Sequence, residues 1–258
     1  FAGWVGMYGL EGVYAADGLT SPYYRELTGS LPGVERAWDW RLYLEQANVA
    51  KARPYLDALN VRYYLDLMSD QGLLGKSLRL VKPGDLDVYE SPTAWPRAFF
   101  TDRLMVYDRV EELVAAIGTA EGKPLAAIQR PDLNAYPQLA VVWSELASRR
   151  VNPATRYALT ANTTSFTVQA HAAGVAVLSE NYWPGDFRAE VDGVKARVVR
   201  LNHAFKGVLI ETPGEHRVTF RYVPKHFPWL VGIAGLGLTL LAGSVGLVLR
   251  GDLRERVA

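Results

Sequence analysis

The C-terminal end of the sequence constrains this chain more than any other part. From Phe227 to Leu249 no residue carries a charge, and Leu, Gly, Val and Ala dominate the composition. A helix of about 23 residues is ~34 Å long, which is enough to cross a hydrocarbon core of ~30 Å. A helix buried in a soluble domain rarely extends so far without a polar face. We therefore predict a transmembrane helix over residues 227–249 and a cytoplasmic tail over residues 250–258.

Basic residues around this helix predict its orientation. Arg250, Arg254 and Arg256 follow the apolar run, whereas Lys225 and His226 precede it, with Arg217 and Arg221 further back. Lys and Arg concentrate on the cytoplasmic side of membrane helices. The sequence therefore predicts a cytoplasmic C-terminus, a large extracytoplasmic domain and contact with membrane lipid. The chain opens at Phe1 without the basic segment that begins a secretory signal, so we expect an export signal or an earlier membrane helix upstream.

Composition and motifs exclude several kinds of site. The sequence has 28 basic and 27 acidic residues, and this balance argues against a nucleic-acid partner. It has no cysteine, which excludes disulfide bonds and thiolate metal sites. The histidines show no metal-ligand spacing, and the sequence contains no phosphate-binding loop or nucleophile elbow. We therefore expect no metal and no cofactor.

Residues 1–150 have the pattern of a mixed α/β extracytoplasmic subdomain. Ser21 followed by Pro22 is typical of a helix start, and it predicts a helix over residues 23–29. Apolar residues at helical spacing predict further helices over residues 52–59 and 109–117. Alternating apolar residues and a Pro-Gly-Asp turn predict strands over residues 61–65, 78–81 and 87–90.

The hydrophobic period changes to two in residues 151–226. Short alternating runs occupy residues 166–170, 175–178, 187–191, 196–200, 208–210 and 217–222. Asp192 and Gly193 lie between two of these runs and form the strongest short hairpin signal. Such a series of short strands predicts an antiparallel β-sandwich. The predicted fold class is therefore α+β: a mixed α/β subdomain, then an antiparallel β-sandwich, then one C-terminal transmembrane helix.

Four aromatic residues are candidate carbohydrate contacts, because a sugar stacks its apolar face on an aromatic ring. They are Trp38, Trp40, Tyr182 and Trp183. Large aromatic side chains more often pack in a core or at its rim, and this interpretation is favoured for all four.

Carboxylates near the Asp-Gly turn raise the possibility of acid–base chemistry. A glycosidase would need two carboxyl groups facing one bond at a set separation. Asp192 is more simply a turn residue, and Glu190 alternates onto the solvent side of its strand. We therefore predict no catalytic residue in this chain.

Small residues recur at four-residue steps inside the apolar run. Gly235, Thr239 and Gly243 share one helix face, and this spacing lets helix backbones approach closely. We predict that this face packs against preceding transmembrane helices of the same protein. A lone anchor is the alternative, because glycine is frequent in membrane helices generally.

Several segments resemble a known bacterial family, the YfhO-type membrane proteins. These segments are residues 59–65, 96–99, 178–185, 191–193, 201–207, 213–216 and 218–222, in this order before an apolar span. The family consists of polytopic membrane proteins placed near the glycosyltransferases that use lipid-linked sugars. The resemblance implies that this chain is a C-terminal part of such a protein in the bacterial cell membrane.

The resemblance also implies a role in moving a sugar from a polyprenyl-phosphate carrier to a cell-envelope polymer. The family's catalytic machinery is expected on an early extracytoplasmic loop that this chain does not contain. The implied contribution of this chain is acceptor recognition or structural support, with an envelope glycan or a lipid-linked sugar as partner. The alternative is a single-anchor, non-enzymatic ectodomain that binds carbohydrate or serves a structural role.

Overall fold

The computed structural model describes residues 21–38, 41–67, 74–142 and 145–255, and it leaves the side chains of residues 36–38, 41–43, 67 and 247–255 undescribed. The helices are α1 Pro22–Gly29, α2 Val49–Ala58, α3 Val110–Gly118, α4 Arg130–Ala135 and α5 Phe227–Glu255. The strands up to residue 150 are β1 Glu35–Trp38, β2 Arg41–Tyr43, β3 Tyr63–Leu67, β4 Arg79–Lys82, β5 Leu86–Glu90, β6 Ala98–Thr101, β7 Leu104–Tyr107 and β8 Ala126–Gln129. Those that follow are β9 Val151–Pro153, β10 Thr155–Leu159, β11 Thr163–Ala170, β12 Gly174–Asn181, β13 Phe187–Val191, β14 Val194–Ala196, β15 Val199–Leu201, β16 Phe205–Ile210 and β17 Gly214–Tyr222.

Two five-stranded antiparallel sheets form the centre of the fold. The outer sheet has the order β10-β11-β17-β13-β14, and the inner sheet has the order β15-β16-β12-β6-β9. Side chains from both sheets share one apolar core, in which the rings of Phe166 and Phe220 stack with centroids 6.2 Å apart. The two sheets are therefore packed face to face, as in a sandwich.

The inner sheet is buried on both faces. Phe100 and Ala176 point into the sandwich core, whereas Phe99 and Val175 pack on the other side with residues of α1, α2 and α3. The molecule thus has three layers: helices, inner sheet and outer sheet. Burial on both faces explains why β12 begins with a continuous buried run instead of alternating apolar and polar residues.

The remaining strands lie on the helical side of the inner sheet or beside it. The sheet β3-β5-β4 is antiparallel, and β7 and β8 form a parallel pair connected through α3. A crossover helix is the usual connection between parallel strands. The backbone and side chain of Asn202, at the end of β15, attach this pair to the inner sheet.

Helix α5 follows β17 after a short connection. The segment Phe227–Gly246 of this helix has a mean hydropathy of 1.7, and none of it is buried against the rest of the described chain. It is the one helix, within the residues that the structure describes, that is long and apolar enough to cross a membrane. The helix continues past the apolar run as far as Glu255, so most of the predicted tail is helical.

The predicted α+β class is confirmed, with helices, several antiparallel sheets and one apolar C-terminal helix. The hairpin predicted at Asp192 and Gly193 joins β13 to β14, and both residues have the positive φ angles, 53° and 80°, that its turn type needs. The division at residue 150 stays a prediction. Strand β6 lies before that boundary and nevertheless pairs with β12 in the centre of the inner sheet.

Candidate functional site

A group of polar and aromatic side chains gathers where β12 ends beside the β15–β16 hairpin. The backbone N–H of Tyr182 donates to the carbonyl of Ala204 at 2.8 Å, which holds the loop after β12 against the hairpin. The hydroxyl of Ser21 donates to the carbonyl of Tyr182 at 3.2 Å, which brings the start of α1 to the same place. We call Tyr23, Glu26, Asp132, Tyr182, Arg200 and His203 the hairpin-end cluster.

The turn of the hairpin holds two non-glycine residues in the left-handed region. Asn202 has a φ of 46° and His203 a φ of 67°. The side chain of Asn202 offsets the cost of this backbone conformation with two hydrogen bonds. It accepts from the N–H of Ala127 at 2.7 Å and donates to the carbonyl of Leu125 at 2.9 Å. A left-handed histidine costs roughly 1–2 kcal/mol and persists only where its surroundings enforce it. Such strain is common at functional sites, and it directs attention to His203.

His203 is almost fully enclosed, with 1 % of its side chain exposed. Its Nδ1 lies 3.1 Å from the hydroxyl oxygen of Tyr107, and its Nε2 lies 3.0 Å from the Oε2 of Glu26. Burial lowers the pKa of His203 despite the opposing charge of Glu26. Burial also raises the pKa of Tyr107, so its hydroxyl stays protonated. The imidazole is therefore held mostly neutral between a phenol and a surface carboxylate.

Arg200 links the hairpin to α4 and α1. Its guanidinium donates to the carbonyl of His203 at 3.0 Å and to Oε1 of Gln129 at 2.8 Å, and it lies 2.6 Å from a carboxylate oxygen of Asp132. It also lies over the ring of Tyr23, 4.2 Å from the centroid. Arg200 thus combines a cation–π contact with hydrogen bonds and an ion pair.

Two half-buried tyrosines bring the cluster to the surface. The ring of Tyr23 lies 6.1 Å from that of Tyr182 and 6.2 Å from the ring of His203. Burial raises the pKa of Tyr182, so its hydroxyl is available as a hydrogen-bond donor. Glu26 and Asp132 add carboxylates that are partly open to solvent. Aromatic faces together with neutral and charged hydrogen-bonding groups suit a polyhydroxylated ligand.

Of the four predicted carbohydrate contacts, the structure describes the side chains of two. Tyr182 belongs to the hairpin-end cluster, and Trp183 follows it, half-buried, in the loop after β12. Trp38 is the last residue of β1 and its side chain is not described; Trp40 lies outside the described residues. Whether any of them contacts carbohydrate stays a prediction.

The predicted helix-packing face is exposed along α5. The hydroxyl of Thr239 donates to the carbonyl of Gly235 in the same helix at 2.8 Å. Around Gly235 and Gly243, no atom of the described chain beyond the helix backbone would lie within 4 Å of an added Cβ. The face is open to a neighbour, and the packing itself stays a prediction.

The carboxylates near the Asp-Gly turn have structural partners. Asp192 accepts from the backbone N–H of Arg217 and lies 2.7 Å from Nδ1 of His216, and these hydrogen bonds lower its pKa. Asp186 accepts from the N–H of Lys225 at 3.0 Å, and Glu190 is exposed. None of these contacts is an arrangement for acid–base work.

A second polar group lies inside the sandwich. Lys206 has 2 % of its side chain exposed; its Nζ lies 2.9 Å from Glu180 and 3.6 Å from the ring centroid of Phe187. Burial disfavours the charged forms of both partners and lowers the pKa of Lys206. For the carboxyl of Glu180, burial is outweighed only by the charges of Lys206 and Arg97 together with the hydrogen bonds from Lys206 and Tyr157, and the pKa of Glu180 is also lowered. Arg97, Tyr157 and Thr164 contact the same carboxylate.

Sequence patterns did not predict most members of the hairpin-end cluster or of the group around Lys206. Lys206 interrupts an otherwise apolar run in β16, and this interruption was the available signal. Tyr23, Asp132 and Arg200 lie on three elements far apart in the chain, so no local pattern joins them. Among the described residues, no group of three or more His, Asp or Glu side chains could hold a metal ion.

Comparisons with known proteins give no relative from which a role could be transferred. No family model, no curated protein and no solved structure matches this chain significantly. The geometry of the chain itself therefore carries the argument for function.

Proposed function

We propose that this chain is the extracytoplasmic region and last transmembrane helix of a YfhO-type bacterial membrane protein. Its part in the transfer of a lipid-linked sugar to a cell-envelope polymer is glycan recognition or structural support, and not bond breaking. The observation that carries this proposal is the apolar, unburied helix α5, which follows directly on the last strand of the sandwich.

The exposure of α5 supports a lipid environment. Leu236, Leu238 and Leu240 are 62 %, 68 % and 66 % exposed, and no polar stripe accompanies them. Monomeric soluble proteins rarely expose contiguous apolar patches larger than a few hundred Å². Insertion of a leucine at the centre of a membrane helix is favourable by ~0.5 kcal/mol, so the apolar run as a whole favours the bilayer strongly.

The hairpin-end cluster supports the recognition part of the proposal. The ring of Tyr182 and the side of the Tyr23 ring that Arg200 does not cover offer aromatic surface, and Glu26, Asp132 and the tyrosine hydroxyls offer hydrogen-bonding groups. The carboxylates face His203 and Arg200, which favours a binding role over proton transfer to a substrate. The loop that begins at Tyr182 is hydrogen-bonded to the segment before α5, so the cluster lies on the side of the sandwich from which the chain enters the helix. A sugar carried by a membrane lipid would arrive on that side.

Titration of a short-chain polyprenyl-phosphate sugar into the full chain in lipid nanodiscs tests this role. Tyr23→Ala and Tyr182→Ala should each weaken binding by roughly two- to tenfold, because one aromatic contact is worth ~0.5–1.4 kcal/mol. Tyr63→Ala is the matched control, since Tyr63 is 55 % exposed on β3, outside the cluster. Absence of binding by the parent chain, or equal binding by all variants, would remove the recognition role.

A further inference from the structure

The loop after β12 is fastened to the segment that leads into α5. The carbonyl of Asp186 accepts from the N–H of Val223 at 2.7 Å, and its carboxylate accepts from the N–H of Lys225 at 3.0 Å. The rings of Phe187 and Tyr222 lie beside each other with centroids 5.4 Å apart. The loop and the pre-helix segment therefore form one surface, although about forty residues separate them in the chain.

This surface combines aromatic rings with basic groups. We call it the basal surface, and its members are Trp183, Pro184, Gly185, Asp186, Arg188, Arg221, Tyr222, Val223, Lys225 and His226. Arg188, Arg221 and Lys225 are exposed, and the one carboxylate among these residues, that of Asp186, accepts a backbone hydrogen bond. Aromatic rings with exposed Lys and Arg are the chemistry that settles at the interface between lipid tails and phosphate headgroups.

The basal surface is also within reach of the bilayer. Helix α5 begins at Phe227, and the chain from Val223 to that residue spans ~14 Å at most when fully extended. The headgroup layer on each side of a bilayer is roughly 5–8 Å thick. Phe227 and Trp229, exposed at 58 % and 74 %, continue the aromatic character of the surface into the first turn of the helix.

We infer that the basal surface docks onto the headgroups of anionic phospholipids and seats the sandwich on the membrane. This inference rests on the membrane anchor of the proposed function and adds a second point of contact. Arg188 and Lys225 bind lipid phosphates, while Trp183 and Tyr222 enter the interface. Trp183 is then a lipid contact in place of a carbohydrate contact, while the predictions for Trp38, Trp40 and Tyr182 are unaffected.

Site-specific fluorescence on the full chain tests the inference cleanly, because the chain has no cysteine of its own. An environment-sensitive dye is attached to Pro184→Cys on the basal surface, and to Val194→Cys as control. Val194 is 70 % exposed and follows the Asp-Gly turn, at the opposite end of β13. A third label, at Leu241→Cys, reports on the helix itself.

The labelled chains are reconstituted in phosphatidylcholine–phosphatidylglycerol vesicles that contain spin-labelled quencher lipids. The dye at 184 should be quenched at least twice as strongly as the dye at 194. Arg188→Glu with Lys225→Glu should abolish that difference. Equal quenching at 184 and 194, with the dye at 241 quenched, would overturn the docking surface and leave the anchor intact. An unquenched dye at 241 would overturn the anchor and the docking surface together.

Discussion

Among single residues, His203 combines a strained backbone conformation with a lowered pKa. The residue occupies the left-handed region with its ring between Tyr107 and Glu26. Since burial lowers its pKa below the usual value of 6.5, the folded chain binds fewer protons there than the unfolded chain. The contribution of His203 to stability is therefore present above pH 6.5 and declines as the pH falls through that value.

His203→Asn isolates this effect, because asparagine tolerates the left-handed backbone and does not titrate. Between pH 7.5 and pH 5.5 the free energy of unfolding should fall more steeply in the parent chain than in the variant. Thermal unfolding in detergent at several pH values measures both slopes. Parallel slopes would show that His203 keeps its ordinary pKa, despite the nearby charges of Glu26, Arg200 and Asp132.

Lys206 and Glu180 give a second prediction at this scale. Glu180→Ala leaves a buried cation without its closest carboxylate, and we expect a loss of ~3–5 kcal/mol in the free energy of unfolding. Combining Glu180→Gln with Lys206→Met should cost clearly less, since the most deeply buried cation is then removed together with its carboxylate. Glu215→Gln breaks the exposed pair with Arg156 and should change stability by ~1 kcal/mol or less. Denaturant titration measures the free energy of unfolding of all three variants. A larger loss in the double variant than in Glu180→Ala would contradict a stabilising pair between Lys206 and Glu180.

Among the secondary-structure elements, strand β6 tests the three-layer arrangement, because its side chains enter two different cores. Phe99 and Phe100 are adjacent, and neither exposes any surface, yet they point into different cores. We expect Phe99→Ala and Phe100→Ala each to cost ~3–5 kcal/mol in unfolding free energy. Leu80→Ala, at an exposed position of β4, should cost ~1 kcal/mol or less. If one of the two phenylalanine variants matched the Leu80 control, one face of the inner sheet would be open to solvent.

Helices and turns were predictable where local chemistry decides them. The helix start at Ser21 and Pro22, the apolar spacing of α3 and the Asp192–Gly193 turn are all present in the structure. Strand β6 was missed because Ala98–Thr101 is short and buried on both faces, so it shows no alternation. Its position between β12 and β9 is set by pairing with distant residues, which no local pattern encodes.

The candidate site was predictable only in part, for the same reason. Tyr182 was singled out from the sequence as a candidate carbohydrate contact, and it belongs to the hairpin-end cluster. His203 belongs to a segment that the family resemblance includes, but its partners Tyr107 and Glu26 come from β7 and α1. Tertiary packing assembles this group, so its chemistry becomes visible only in three dimensions.

In the molecule as a whole, we expect the two ends of α5 to lie on opposite sides of the membrane. Impermeant maleimide should label Val194→Cys on intact cells and should label Ala258→Cys only after the membrane is permeabilised. Labelling of Ala258→Cys alone on intact cells would invert the orientation. The prediction rests on Arg250, Arg254 and Arg256, which favour the cytoplasmic side.

Vesicle flotation of the full chain after carbonate extraction measures whether α5 lies in lipid. The parent chain should float with the vesicles. Leu238→Arg combined with Leu241→Arg should remain at the bottom of the gradient, because each arginine at mid-helix costs ~2.5–3.5 kcal/mol of insertion free energy. A parent chain that stays soluble and monomeric without detergent, and that floats no better than the double variant, would contradict the account.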